Sequence, residues 1–153
     1  MKVLYTAFNG KQNASKILLD KIDTDHKLYL KNSNNTSVEQ LKKELANDYD
    51  LVVSIGSARL RVNTFKIETV ANGDVKYTTT YDYTNIKESL EDSGYKVIIS
   101  KFAGRYLCNN LYYHILKYIN DNNLKTKMIF IHIPRISNIR KLDKLVDILV
   151  KDI

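Results

Sequence analysis

The sequence predicts an α/β fold, a three-layer α/β/α sandwich around a mostly parallel central sheet with an inserted β-hairpin. Three observations carry that expectation. Short apolar runs of strand length alternate with segments whose apolar residues recur at helical spacing. The run Asp50-Leu51-Val52-Val53-Ser54-Ile55-Gly56 is apolar almost throughout and stops at a glycine, the pattern of a buried parallel strand. Between Val62 and Tyr83 the pattern changes: two stretches rich in Val, Thr, Tyr and Phe flank Asn72-Gly73-Asp74, a hairpin signal.

In chain order, Lys2 to Ala7 reads as the first strand, followed by the polar turn Asn9-Gly10-Lys11-Gln12. Asn13 or Ser15 caps a helix through Ile22, which places Ile17, Leu18 and Ile22 on one face. Lys27 to Leu30 is a short strand, and Asn32 to Thr36 an asparagine-rich loop. Ser37 opens the capping-box-like Ser37-Val38-Glu39-Gln40 of a helix through Leu45. After the Asp50–Gly56 strand, Val62 to Val70 and Val75 to Tyr83 form the hairpin. Asn85 to Ser93 is a helix ended by Gly94, and Tyr95 to Ser100 a strand. A helix opened by Cys108, a strand from Met128 to Ile133 and a last helix from about Ser137 to Val150 complete the chain.

Residues 1–153 read as a single domain, long enough to bury a core. One cysteine cannot form an internal disulfide, which points to a reducing compartment and hence the cytoplasm. The opening residues have strand character, with neither the apolar region nor the cleavage site of a leader. No apolar run approaches the ~18 residues of a membrane span, so no membrane partner is expected. The formal charge of +7 invites a polyanion reading, but the 24 Lys and Arg are interleaved with 17 acids along the whole chain. The nearest cluster, Arg135 to Lys144, falls on the polar face of the expected last helix. No nucleic-acid partner is therefore expected.

Chemistry concentrates between Val97 and Pro134. The only cysteine, Cys108, opens a helix just past one strand, and His132 closes the next. Ligands in open α/β sheets bind beyond the carboxyl ends of strands, and right-handed crossovers put both of these ends on one edge. A thiol at a helix N-terminus feels the positive end of the helix dipole, which lowers its pKa. His114 lies about 240° around the helix from Cys108 at ~3.6 residues per turn, and His26 sits at a strand entrance, so His132 is the base within reach. The residues alone leave a second reading open. Cys108 shares a helix face with Leu111, Tyr112, Ile115 and Ile119, as an inert core cysteine would, and a strand-end histidine is often a satisfied polar group. One Cys and three scattered His lack metal-ligand spacing, and no glycine-rich phosphate loop is present, so neither a metal nor an organic cofactor is expected.

The surrounding sequence is more specific. Ser100-Lys101-Phe102-Ala103-Gly104-Arg105-Tyr106-Leu107-Cys108-Asn109 resembles the nucleophile motif of the pyroglutamyl peptidase I (pyrrolidone-carboxylate peptidase) family, S-x-[small]-A-G-x-[FY]-L-C-[ND]. Ile131-His132-Ile133-Pro134 is similar to that family's I-H-[VI]-P motif at the matching separation of 24 residues. Lys2-Val3-Leu4-Tyr5-Thr6-Ala7-Phe8 is similar to its K-V-L-V-T-G-F start. Phe65-Lys66-Ile67-Glu68-Thr69-Val70-Ala71-Asn72 is a weaker counterpart of its glutamate motif.

The resemblance implies a Cys-His-Glu hydrolase that removes an N-terminal pyroglutamyl group from peptides, with Cys108, His132 and Glu68 catalytic and Phe8 in substrate binding. It implies a peptide substrate, no cofactor, and a homo-oligomer, dimer or tetramer. Taken alone, Glu68 alternates with Lys66 in a hairpin strand and reads as a solvent-facing carboxylate. The sequence also departs from the family. The F-x-P-F-G-G loop is cut to Phe8-Asn9-Gly10, and the N-A-R-x-P-D-N segment is replaced by the hairpin from Gly73 to Thr84. Phe102 replaces a small residue, Lys66 a hydroxyl residue and Thr69 a basic one. These departures raise an alternative: a trimmed member that keeps the fold and acts as a binding protein.

Overall fold

The computed structural model describes residues 1–153. Along the chain run β1 (Val3–Phe8), α1 (Ala14–Lys21), β2 (Lys27–Leu30), α2 (Asn34–Glu44), β3 (Leu51–Ser57), β4 (Thr64–Glu68), β5 (Val70–Asn72), β6 (Lys76–Thr78), α3 (Thr84–Asp92), β7 (Lys96–Ser100), α4 (Leu107–Asp121), β8 (Lys127–Ile133) and α5 (Leu142–Lys151). Six strands form one sheet in the order β2-β1-β3-β8-β4-β7. Strands β2, β1, β3 and β8 are mutually parallel, β4 is antiparallel to β8, and β7 is parallel to β4. The sheet is thus mostly parallel but mixed.

Successive side chains of a strand point to opposite faces, and this alternation builds two different layers. Tyr5 and Ala7, Leu51, Val53 and Ile55, Phe65 and Ile67, and Ile129, Ile131 and Ile133 face α1, α3 and α5 in a continuous apolar core. The opposite face meets α2 and α4 through Leu4, Phe8, Val52, Met128 and Phe130, packed on Val38, Leu41, Leu111, Tyr112 and Ile115. On that second face the alternation also places polar and small residues, Thr6, Ser54, Gly56, Glu68 and His132, all buried. Thr6 and Ser54 satisfy each other through a 2.7 Å hydroxyl pair. The three-layer α/β/α arrangement is as the sequence predicts, and its chemistry sits on one face.

Several expected boundaries move, each for a local reason. Helix α2 begins at Asn34 rather than Ser37, because Ser33 is the cap and its hydroxyl accepts the Thr36 N–H. Most of the expected asparagine loop is therefore the first turn of a helix. The expected hairpin is split at Thr69, where the backbone leaves the main sheet: its N–H and hydroxyl both bond the carbonyl of Ser100. Only Val70–Asn72 and Lys76–Thr78 pair as a hairpin, while β4 is inserted between β8 and β7. The last helix begins at Leu142, after a 3₁₀ turn at Ile136–Asn138. Asn63 takes the intervening backbone instead, donating its N–H to Asn138 and accepting from the Arg140 N–H through its side chain. Arg135, Arg140 and Lys141 consequently lie outside the helix, not on its polar face. No helix is long and apolar enough to cross a membrane.

The hairpin turn is tight against α4. A Cβ added at Gly73 would lie 2.2 Å from the Tyr113 ring, which itself packs edge-on against Tyr77. Gly73→Ala is expected to cost about 1–3 kcal/mol by overpacking, read as a lower urea midpoint, and most of that loss is expected to vanish in a Tyr113→Ser background. An equal loss in both backgrounds would contradict this packing.

Candidate active site

His132 is the next-to-last residue of β8 and is buried. Glu68 ends β4 and is 1% exposed. In the antiparallel β4–β8 pair Glu68 lies opposite Phe130 and Lys66 opposite His132. Diagonal neighbours of such a pair share a face, so Glu68 reaches His132 directly: its Oε1 is 3.0 Å from the imidazole Nδ1. A carboxylate only accepts, so Nδ1 carries the hydrogen and Nε2 is left as the basic nitrogen. The ring is also held by Phe130, with centroids 5.0 Å apart.

Glu68 is therefore not the solvent-facing hairpin carboxylate that its local pattern suggests. That reading fails because β4 is an interior strand of the main sheet. The Glu68 carbonyl accepts from the Tyr112 hydroxyl at 2.8 Å, which anchors β4 to α4. The second carboxylate oxygen, Oε2, is buried with no hydrogen-bond partner.

Cys108 is the second residue of α4 and half-buried. It meets the sheet above Gly56, which pairs with His132 across the β3–β8 ladder. A Cβ at Gly56 would lie 3.1 Å from the Cys108 Sγ and 2.7 Å from the Phe130 ring. Gly56 is thus the space into which the thiol fits. Thiol, imidazole and carboxylate follow one another over β3, β8 and β4 on the same face of the sheet.

Two expectations about this arrangement need correction. Cys108 and His132 do not meet beyond a common sheet edge, because β7 runs against β8. The chain instead turns after Ser100, with Gly104 in the left-handed region at φ 95°, and brings α4 down over the sheet face. Nor is the thiol acidified by its helix. Burial, and then the nearby charge of Glu68, push its pKa up to about 12.

The neighbouring Asn109 fixes where α4 starts. Its side chain accepts from the Asn72 N–H at 3.0 Å and donates to the Asn72 carbonyl at 2.8 Å, while the Asn72 amide donates to the Lys101 carbonyl. Hairpin, loop and the helix that carries Cys108 are locked together by this pair. The sequence offers Asn109 only as the last residue of the Cys108 motif. Its partner Asn72 and the space above Gly56 depend on contacts between distant segments, which no local pattern records.

Phe8 ends β1 and is buried in the apolar cluster against which Leu107 and Cys108 also pack. The exposed aromatics that precede Cys108 are Phe102, 56% exposed, and Tyr106, 82% exposed, on the loop entering α4. Lys66, opposite His132, shares its face and is half-buried. Arg105 is exposed. His26 packs edge-on against Tyr49, and His114 is exposed on α4. No three His, Cys, Asp or Glu side chains are grouped so as to hold a metal ion.

The sequence model of the pyroglutamyl peptidase family matches residues 63–148, more than half of the chain and all three site residues. Pyrrolidone-carboxylate peptidases 1 and 2 of Caldanaerobacter subterraneus subsp. tengcongensis are each 30% identical to it. Both alignments cover 88% of this chain, with 82% and 81% of the respective relatives. In fold, the chain superposes on pyroglutamyl peptidase I of Bacillus amyloliquefaciens with a TM-score of 0.85, at 20% identity, over 97% of this chain and 92% of that one. Pyrrolidone carboxyl peptidase of Fervidobacterium islandicum gives a TM-score of 0.82 at 20% identity, over 97% and 94%. With that match across both sequence and fold, the chain belongs to the pyroglutamyl peptidase family.

Proposed function

We propose that this protein hydrolyses the amide bond that follows an N-terminal pyroglutamyl residue of a peptide, with Cys108 as nucleophile, His132 as acid and base, and Glu68 as the group that orients His132. The observation that carries this reading is the buried 3.0 Å Glu68–His132 hydrogen bond, set beside a thiol seated over Gly56. A thiol held near pKa 12 is a neutral S–H at rest. Its proton therefore passes to Nε2 of His132 as sulfur attacks the pyroglutamyl carbonyl, and the S–C bond forms. His132 gives that proton to the departing amine as the C–N bond breaks. It then takes a proton from water, whose oxygen displaces the sulfur and releases pyroglutamate, and the thiol is restored.

Glu68 favours the imidazolium at each stage and keeps Nδ1 protonated. Helix α4 has no side-chain cap, and its first backbone bond runs from the Asn110 N–H to the Tyr106 carbonyl. The N–H groups just before it, at Cys108 and Asn109, supply the oxyanion donors. Phe8 contributes to the apolar wall behind the nucleophile. The mechanism requires a reduced thiol, which suits a reducing compartment such as the cytoplasm.

One observation favours a second reading, a fold-retaining binding protein: five surface cavities of about 320 to 750 Å³ are lined by residues other than Cys108, His132 and Glu68. Hydrolysis of a pyroglutamyl aminocoumarin amide decides between the two. The native protein is expected to release the fluorophore. Cys108→Ala and His132→Ala are expected to abolish release, and Glu68→Gln to lower kcat by roughly 10²- to 10⁴-fold through loss of the correct tautomer. Release that survives Cys108→Ala contradicts the thiol mechanism, and no release by the native protein favours the binding reading.

The raised thiol pKa makes a separate prediction. Alkylation of Cys108 by iodoacetamide requires the thiolate. It is expected to be slower than that of free cysteine at pH 7.5, and to keep rising above pH 9, where free cysteine levels off near its pKa of ~8.5. A plateau below pH 8, followed by mass spectrometry of the Cys108 peptide, would contradict the burial effect.

A further inference from the structure

The loops that leave the carboxyl ends of β3 and β8, with the turn before α1, line two adjoining open clefts of about 650 and 320 Å³. The first is lined by Ala58, Arg59, Leu60, Arg61, Arg135 and Asn138. The second shares Ala58, Arg59 and Arg135 with it and continues to Asn13 and Ser57. No acidic residue lines either cavity. All three arginines are exposed, and none pairs with a carboxylate. Three unpaired guanidinium groups in one concave site raise its affinity for anions.

The cleft has a fixed frame. The Ala58 N–H bonds the Ile133 carbonyl at 2.9 Å, the Asn63 N–H bonds the Asn138 carbonyl at 2.8 Å, and the Arg140 N–H bonds the Asn63 side chain at 2.8 Å. Asn63 itself holds a left-handed φ of 54°. On the other side, Ser57 donates to Asn13 at 2.6 Å and accepts from the Ser15 N–H at 3.1 Å.

The cleft lies past the carboxyl ends of β3 and β8 and reaches toward α1, across the sheet edge from the face that carries Cys108. Arg59 lies three residues beyond Gly56, and Arg135 three beyond His132, a reach of about 10 Å for extended backbone. The pyroglutamyl group is a single small ring at the thiol, so only the leaving peptide is long enough to lie along the cleft.

Resting on the reaction proposed above, we infer that Arg59, Arg61 and Arg135 form a subsite for a carboxylate carried by the leaving peptide, two to four residues after the scissile bond. The protein therefore prefers acidic pyroglutamyl peptides.

Calorimetric titration of the full-length Cys108→Ala protein at low ionic strength tests this without turnover. The ligands are a pyroglutamyl hexapeptide amide with Glu at its third and fourth positions, and the same peptide with Gln there. The acidic peptide is expected to bind roughly five- to tenfold more tightly, with the advantage shrinking as salt is added. A triple Arg59→Gln, Arg61→Gln, Arg135→Gln substitution is expected to equalise the two. Removing the same charge at the exposed Lys43, Lys125 and Lys151 is expected to preserve the preference. A neutral tetrapeptide with a free carboxyl terminus that gains as much as the acidic peptide supports the subsite and makes the terminus its source.

Affinities within twofold of each other in the parent protein overturn the inference, as does a preference that survives the arginine substitutions. Tighter binding of a DNA duplex than of the acidic peptide, lost on the same substitutions, overturns it in favour of a nucleic-acid surface. Preference for the acidic peptide, without fluorophore release by the native enzyme from the aminocoumarin amide, leaves the subsite standing and removes the proposed reaction.

Discussion

The site depends first on where one carboxylate is buried. Glu68 is placed inside the sheet by a strand that runs against its neighbour, and that reversal aims it diagonally at His132. An isolated charge at such a depth would be costly. It is tolerated because the imidazole donates a hydrogen bond to one of its oxygens, and in the proposed reaction that imidazole would become cationic, where attraction in a poorly solvated site is strongest. The unpartnered Oε2 marks the remaining cost. The Tyr112 hydroxyl bond to the Glu68 carbonyl, the split of the hairpin at Thr69 and the Asn109–Asn72 lock all hold β4 and α4 in the positions this contact requires.

The two faces of the sheet divide the work. One is apolar across its centre and packs on α1, α3 and α5, supplying most of the core. The other gives up apolar burial at Thr6, Ser54, Gly56, Glu68 and His132, and there α4 sets its cysteine down. Gly56 is the hinge between stability and chemistry. Any larger residue there would improve packing elsewhere in a parallel strand, but here it would occupy the space of the thiol and press on Phe130.

Much of this was legible in the sequence where the signal is local. The apolar run of β3, the strand around His132, the Asn13 cap and the alternation of strands and helices all predict elements that form. The Cys108 and His132 contexts point to the family by motif. What was not legible depends on partners far apart in the chain. Glu68 reads as surface until β7 and β8 flank its strand. Cys108 reads as dipole-activated until the sheet buries it beside Glu68, which moves its pKa the other way. The basic segment from Arg135 to Lys144 reads as one helix face until Asn63 ties its backbone to the loop after β3, and three arginines then line a cleft instead. Helix periodicity cannot show such a rearrangement, because the competing hydrogen bonds come from another loop.

If buried Glu68 orients His132, the imidazole carries its hydrogen on Nδ1 and leaves Nε2 free. Nitrogen-15 correlation spectra of the His132 ring at neutral pH test it most directly. The expected tautomer carries hydrogen on Nδ1 and is lost or mixed in Glu68→Ala. A ring protonated on Nε2 and bare on Nδ1 in the native protein would contradict it.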